Sequence, residues 1–295
     1  MAASESPSQN GVPAIDVEGA TWTVEIDSGQ FPVLDHGEGP AVLLLHGFPD
    51  SRYLWRYQAP ALADAGFRVI APDLRGFGDA PKPEAVEAYA LPDVLDDITD
   101  IAVELDLETV RLVGHDWGSD VAWLLAATRP EFVERLVALS VGAPGNSRSR
   151  TIEQRERFWY AYFFLFEGVA EAWLRHDDWR LFREWTREQG DQERYLEDLS
   201  RPGALTAGLN WYRANFTPRP PSERGADYPN VTRPVLGVWS DGDFALTEDH
   251  MIGSEEKVDG PWRYEKLTGA GHWMMLDRPA ELNALLVEFT DGRTA

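Results

Sequence analysis

The sequence contains no cysteine. That absence excludes disulfides, thiolate nucleophiles and cysteine-based metal sites, and it suits a reducing compartment, so a cytoplasmic protein is expected. Long apolar runs are also missing. Stretches such as Ala41–Leu45 and Phe163–Phe166 fall far short of the roughly 20 residues a membrane helix needs. Met1 to Gly11 are polar and lack a basic end followed by an apolar segment, so no secretory leader is expected. Positive charge is scarce. Against 50 Asp and Glu stand 27 Lys and Arg, a formal net charge of −23, which argues against a nucleic-acid partner. A solvated acidic surface is the expectation.

What is present is enough for a full core: 295 residues, 43% of them hydrophobic, fit one large domain or a domain with an insertion. The most informative stretch runs from Val110 to Thr128. It starts as a short apolar run (Val110, Leu112, Val113), the pattern of a buried strand, and ends as an Ala- and Leu-rich helix stopped by Arg129-Pro130. Between them lies Gly114-His-Asp116-Trp-Gly118. Glycines on both sides of a central residue permit a turn too tight for side chains. Such a strand–turn–helix elbow thrusts its central side chain, here Asp116, into the mouth of a site. It also aims the backbone N–H of Trp117 at the same point, as half of an oxyanion hole.

Around this elbow the chain alternates. Thr21–Ile26 and Phe31–Asp35 read as an antiparallel pair. Ala41–Leu45, Arg68–Ala71 and Leu136–Val141 read as strands, separated by helices at Tyr53–Ala65 and Leu91–Leu107. That order implies right-handed βαβ units and a mostly parallel α/β sheet. From Ser147 to about Asp227 no strand pattern occurs. Helices are expected at Thr151–Glu167, Glu171–Leu174, Trp179–Gln189 and Pro202–Asn215, closed by Pro218, Pro220 and Pro221. The sheet resumes at Val235–Trp239 and Trp262–Lys266, followed by a loop over Leu267–Pro279 and a last helix at Ala280–Phe289. The expected organisation is a disordered tail at 1–13, an α/β core at 14–145 and 228–295, and a helical cap at 146–227.

In a parallel α/β sheet, sites form at the carboxyl ends of strands. Four polar features fall there: His46-Gly-Phe-Pro49, Asp116, the pair Asp241 and Asp243, and His272 in Gly269-Ala-Gly-His-Trp273. A nucleophile at an elbow, then an acid after a later strand, then a histidine near the C-terminus is the chain order of a hydrolase triad. Either Asp241 or Asp243 could orient His272. The second follows the glycine-containing turn and is the expected partner, with Asp241 as a turn cap. Gly142-Ala-Pro-Gly145, after the preceding strand, offers no acid.

A carboxylate nucleophile needs no base to ionise it at neutral pH. Its attack on a saturated carbon gives an alkyl ester of Asp116, and His272 is then free to drive water onto the ester carbonyl. The chemistry points to epoxide opening or carbon–halogen cleavage.

From about Thr21 to Phe289 the chain resembles the α/β-hydrolase superfamily, in its epoxide hydrolase and haloalkane dehalogenase branch, with epoxide hydrolases of the soluble bacterial type as the nearer match. The resemblance implies an α/β-hydrolase fold with a helical cap. His46-Gly-Phe-Pro49 resembles the family's HGxP motif, which makes the backbone N–H of Phe48 the second oxyanion donor and puts His46 and Pro49 at the substrate site. Asn210-Trp-Tyr212-Arg213 resembles the motif of one of two cap tyrosines that hold and protonate the epoxide oxygen. Tyr160 matches the other by its distance from Gly168-Val-Ala-Glu171, with Tyr162 as the substitute. Trp159 and Leu165 are expected to line the pocket, Leu165 where relatives often have Gln; Ala80 replaces a common Ser.

No metal or organic cofactor is implied. The expected partners are a small apolar epoxide, aryl-bearing given the aromatic cap, and water; monomer and homodimer both stay open. Epoxide hydrolysis to a vicinal diol is the leading expectation. A dehalogenase would need a second halide donor beside the Trp117 indole, from Trp159, Trp173, Trp179 or Trp185. Phe48 stands where many haloalkane dehalogenases have Asn, and Trp117 is wrong for the Arg of fluoroacetate dehalogenases. A non-catalytic binding protein would be expected to show a broken triad, and Asp116, Asp243 and His272 are all present.

Overall fold

The computed structural model describes residues 8–9, 11–216 and 228–292. Its centre is an eight-stranded sheet. The strands are β1 (Thr21–Ile26), β2 (Gly29–His36), β3 (Ala41–Leu45), β4 (Arg68–Pro72), β5 (Val110–His115), β6 (Val133–Leu139), β7 (Val235–Gly242) and β8 (Trp262–Gly271). Across the sheet they run β8-β7-β6-β5-β3-β4-β2-β1. β1 and β2 pair antiparallel, as do β2 and β4; every other neighbour is parallel. All five residues of β3 are buried, because helices cover both faces of a parallel sheet and leave no solvent side for polar residues.

Those helices are α1 (Gln58–Asp64), α2 (Leu91–Glu104), α3 (Trp117–Thr128) and, later in the chain, the C-terminal pair described below. α2 buries Val94, Leu95, Ile98, Ile101 and Ala102, the one-sided stripe of a helix laid on a core. α3 is buried nearly all round, and its apolar surface meets β5 and β6. The expected first helix divides: Arg52–Tyr57 is a tighter turn of 3-10 helix before α1 begins.

The helical segment follows. It comprises α4 (Ile152–Arg157), α5 (Trp159–Phe163), α6 (Val169–Trp185), α7 (Gln192–Leu199) and α8 (Ala204–Asn215). Among the described residues it contains no strand, as the sequence pattern implied. The long helix expected over Thr151–Glu167 is broken into α4 and α5 at Phe158, whose ψ of 11° leaves the helical region. α6 itself breaks at His176–Trp179, where Asp177, Asp178 and Trp179 take positive φ, so the gap read between Leu174 and Trp179 is real. α7 had no expectation in the sequence; its charged composition hides three inward residues, Tyr195, Asp198 and Leu199. The closing prolines Pro218, Pro220 and Pro221 lie outside the described residues.

The chain then returns to β7, α9 (Glu248–Ile252), β8, α10 (Met274–Asp277) and α11 (Pro279–Thr290). The stretch from Leu267 was expected as a loop. Instead β8 continues to Gly271, across an irregularity after Leu267, and α10 follows directly. At the other end, Ser8–Gln9 pairs with Val12–Pro13, which the expectation of a disordered tail did not anticipate. Among the described residues no helix is long and apolar enough to cross a membrane.

Candidate active site

Parallel register brings the carboxyl ends of the central strands together: Leu45 of β3 stands beside Gly114 of β5, and His115 beside Leu139 of β6. Four segments leave the sheet at this edge and converge. The first is the elbow. Asp116 sits at φ 52° and ψ −126°, a backbone state that L-residues avoid and that surrounding structure must impose. Glycine is required on each side. A Cβ on Gly114 would collide with the Gly118 carbonyl, and one on Gly118 with the carbonyl of Leu45. The turn therefore packs backbone on backbone, and Asp116, 8% exposed, has nowhere to point except the site.

The second segment is His46-Gly-Phe-Pro-Asp50. The N–H of Phe48 donates to Asp116 Oδ1 at 2.8 Å, and the N–H of Trp117 stands beside the same carboxylate and helps to hold its charge. Both expected oxyanion donors thus meet one side chain. His46 departs from its expected role. It is fully buried, its Nδ1 lies 3.0 Å from the Gly47 carbonyl, and its Nε2 accepts the Leu74 N–H at 2.9 Å. Burial depresses its pKa to about 4. With both ring nitrogens held by backbone, His46 fastens the loop that carries Phe48 and has no atom left for a substrate. Pro49 is buried next to it, after a cis peptide bond.

The third and fourth segments supply His272 and Asp243. His272 Nδ1 lies 3.1 Å from Asp243 Oδ2, and its Nε2 lies 3.7 Å from Asp116 Oδ2. Asp243 Oδ1 accepts the N–H groups of Ala245 and Leu246, at 2.8 and 3.0 Å. Its other oxygen also accepts the Ser140 hydroxyl at 2.5 Å. Asp241 is exposed and accepts the Gly269 N–H at 2.7 Å, joining β7 to β8 without touching His272. Of the two acids, Asp243 is the one at the imidazole.

Charge follows from this geometry. Burial alone would lower the pKa of His272, but Asp243 and Asp116 on either side raise it to about 10. Burial likewise opposes the charge of Asp243, yet His272, Ser140 and the turn amides bring it down to about 2. For Asp116 burial is again overcome, by His272, His115 and the Trp117 N–H, and its carboxyl sits below the ordinary range. The resting site is an anion–cation–anion row.

Across from it stand the tyrosines. Tyr160 on α5 and Tyr212 on α8 are 4% and 5% exposed, their rings 6.1 Å apart. Burial, and then the Asp116 charge, push both phenols well above their ordinary pKa, so both keep their protons. Tyr162 turns away, its ring 4.9 Å from Phe216. Phe48, Phe164 and Trp185 wall the space, and the Trp117 ring packs edge-on against that of Tyr212, 5.1 Å away. Trp159 does not belong to this wall: it is 46% exposed and packs on Phe163 and Trp173. Its place beside Tyr160 is taken by Trp185, 5.0 Å from that ring. Leu165 is only half-buried.

Four contributors were not visible in the sequence. Ser140 takes φ 68° just past β6 and bonds Asp243. His115 Nε2 lies 3.0 Å from the His272 carbonyl, with a pKa depressed to about 3 by burial and the His272 charge. Gln189, beyond α6, accepts the His272 N–H at 3.0 Å. Asp50 accepts the Trp273 indole at 2.7 Å, and burial pushes its carboxyl to about 7. Only Asp50 had a signal, as the residue following His46-Gly-Phe-Pro. Among the described residues no three acidic or histidine side chains come together to hold a metal ion.

Sheet order, elbow and triad define a hydrolase, and residues 40–279 match the alpha/beta hydrolase fold family; the chain belongs to it. It is 32% identical to Epoxide hydrolase A of Mycobacterium tuberculosis, over 91% of this chain and 96% of that one. The crystal structure of Epoxide Hydrolase A from Mycobacterium thermoresistibile superposes with a TM-score of 0.77 at 29% identity, covering 92% of this chain and 98% of that one. A solved structure of an epoxide hydrolase from metagenomes of hot environments gives a TM-score of 0.81 at 28% identity, covering 92% and 98%.

Proposed function

We infer that this protein is an epoxide hydrolase. The observation that carries the reading is the pairing of two different devices in one chamber. A carboxylate is held by the Phe48 N–H, with that of Trp117 beside it and a His–Asp couple behind it, and two protonated tyrosines face it. The first device alone fits attack on any electrophilic carbon. The second suits a leaving oxygen that stays attached to the product and needs a proton.

Asp116 attacks one oxirane carbon, the carbon–oxygen bond breaks toward that oxygen, and Tyr160 and Tyr212 hydrogen-bond the alkoxide and supply its proton. The product of this step is an ester of Asp116. Esterification removes one of the two anions that hold the imidazolium proton, and His272 gives that proton up, through solvent, to the tyrosinate left by ring opening, which restores the phenol and leaves the imidazole neutral. His272, oriented by Asp243, then takes a proton from water as that water attacks the ester carbonyl. The oxyanion forms where the Phe48 and Trp117 N–H groups already point. Collapse releases a vicinal diol and returns the Asp116 carboxylate.

The domain reading follows the same line. Residues 146–227 act as a cap on a core of 14–145 and 228–295: α5 and α8 bring the tyrosines, and Gln154, Arg157 and Gln189 bond to the chain between Gly242 and Thr247. A cytoplasmic location fits a cysteine-free chain.

The test is the intact mass of a His272→Gln variant after exposure to styrene oxide or to a bromoalkane. Without the base the ester accumulates. A gain equal to the whole epoxide on the Asp116 peptide is the expected result. A gain equal to the alkyl group, without bromine, would make the protein a dehalogenase. No adduct from either, while wild type turns one over, would sink the covalent mechanism.

A further inference from the structure

One ionisable side chain in the chamber has no part in this chemistry. α3 is largely apolar, and Asp120, one helical turn beyond Asp116, is its single titratable residue. The residues that follow it, Val121 to Ala126, are buried, whereas Asp120 is only half-buried and so borders open space. Its backbone N–H joins the helix through the Asp116 carbonyl. Its carboxyl makes no hydrogen bond or ion pair among the described residues, while its neighbour Ser119 spends its hydroxyl on the Val141 carbonyl.

Its position relative to the reaction is set from three sides. The Asp120 charge is felt by Tyr160 and by Tyr212, and Asp120 in turn feels Asp116. Together with its place one turn beyond Asp116 on α3 and its partial exposure, this puts the carboxyl beside the chamber that holds the nucleophile and both phenols. An acid in the first turn of a helix is often explained by the macrodipole, which favours an anion there. Here that preference is opposed: burial, and behind it the Asp116 charge, push the Asp120 carboxyl up to about 8. An unpaired polar group in an apolar wall costs stability, and a Leu of similar size would fit such a wall without that cost.

We propose that Asp120 is a specificity-determining residue: it receives a hydrogen-bond donor, an O–H or N–H group, carried by the epoxide at the end remote from the reacting carbon. This rests on the epoxide hydrolase reading and refines the apolar substrate expected from the sequence: an epoxide with an apolar body and one polar end. The neutral acid can accept from and donate to a hydroxyl. An ammonium would draw out its proton and pair with the carboxylate. Asp120 stands one turn of helix beyond the nucleophile, a rise of about 5.4 Å, so the polar group belongs several bonds from the oxirane.

The test compares isosteric styrene oxides whose ring carries an ethyl, a hydroxymethyl or an aminomethyl group, as meta and para isomers, taking the better isomer of each. In wild type, kcat/KM for the hydroxymethyl compound should exceed that for the ethyl compound by about tenfold or more. Asp120→Leu should cancel that preference while turning over the ethyl compound at least as well as wild type. Asp120→Asn should keep the preference for hydroxymethyl over ethyl and lose any for aminomethyl, which separates the hydroxyl from the cation. An equal fall with all three substrates in Asp120→Leu would make the residue structural and overturn the proposal. So would a wild type that does not prefer the hydroxymethyl compound, a result that needs no variant to fold. If wild type opened none of the three, the epoxide hydrolase reading itself would fall, a different outcome from turnover without preference.

Discussion

At the scale of single residues, the row Asp116–His272–Asp243 has to stay charged in a buried place, and this ties stability to pH. His272 is raised from 6.5 to about 10. A group whose pKa is higher in the folded state binds its proton more tightly there. Its contribution is therefore complete below about pH 6.5 and is lost as pH climbs through about 10. Asp243, lowered to about 2 from 3.8, has the opposite sign: its contribution is present above 3.8 and disappears as pH falls through about 2. Between the two limits the row is at full strength. The melting temperature of wild type should exceed that of His272→Gln most near pH 6, and the gap should narrow steadily toward pH 10. A gap that stays flat over that range would mean the imidazole is neutral in the resting protein. The same couple explains how one histidine serves as cation and as base. Its proton is held by two anions, and the reaction removes one of them.

At the scale of elements, the question is what keeps α5 and α8 in register so that Tyr160 meets Tyr212. Arg213, beside Tyr212 on α8, pairs with Glu171 at the start of α6 at 2.8 Å, with 6% and 9% of the two side chains exposed. Its Nε donates to the Phe164 carbonyl just past α5, and its Nη1 to Asn210. Glu171 also accepts the Gly168 N–H. One guanidinium thus joins three helices. Removing one partner of a buried pair leaves an uncompensated charge, so Arg213→Met should lose about 3 kcal/mol of stability. Glu171→Gln/Arg213→Met should recover much of it, since the surviving charge is gone; denaturant midpoints of the three proteins decide. A double variant as unstable as the single would place the loss in packing. These elements also mark how far the sequence could be read. The elbow and the chain order of Asp116, Asp243 and His272 were legible because they depend on a local pattern and on sequence order, whereas Tyr160 and Tyr212 were reached only through the family resemblance. His46 and Trp159 were misplaced because the same letters serve opposite purposes depending on which way the side chain faces. His46 spends both nitrogens on backbone, and Trp159 points outward while Trp185, which belongs to no motif, fills the wall. Ser140, His115 and Gln189 act on His272 from elements distant in sequence, and no spacing rule connects them.

At the scale of the whole molecule, the sheet and its buried apolar strands were read from alternation alone, since a continuous apolar run between helix patterns has few other homes. The net charge of −23 makes a further demand. So many like charges on one surface repel one another in the folded state more than in the expanded chain, which lowers stability in dilute buffer. Some of this is met locally: Arg56–Asp191, Arg68–Asp35, Arg75–Asp97 and Arg201–Asp198 pair at 2.6 to 2.8 Å. Salt acts in both directions, weakening exposed pairs and screening the repulsion. Exposed pairs are worth at most about 1 kcal/mol each, and 27 cations cannot neutralise 50 anions, so repulsion outweighs attraction. At about 0.15 M ionic strength the Debye length is about 8 Å, short enough to uncouple most of the surface. The melting temperature at neutral pH should therefore rise as sodium chloride goes from about 10 mM to about 300 mM, with most of the gain below about 150 mM. A falling curve would mean that the ion pairs dominate. The same field bears on substrate. If a cationic epoxide is drawn to the chamber by the acidic surface as well as by Asp120, its kcat/KM should fall over that salt range while that of the ethyl compound stays level. The part that Asp120→Leu leaves behind measures the whole-molecule contribution.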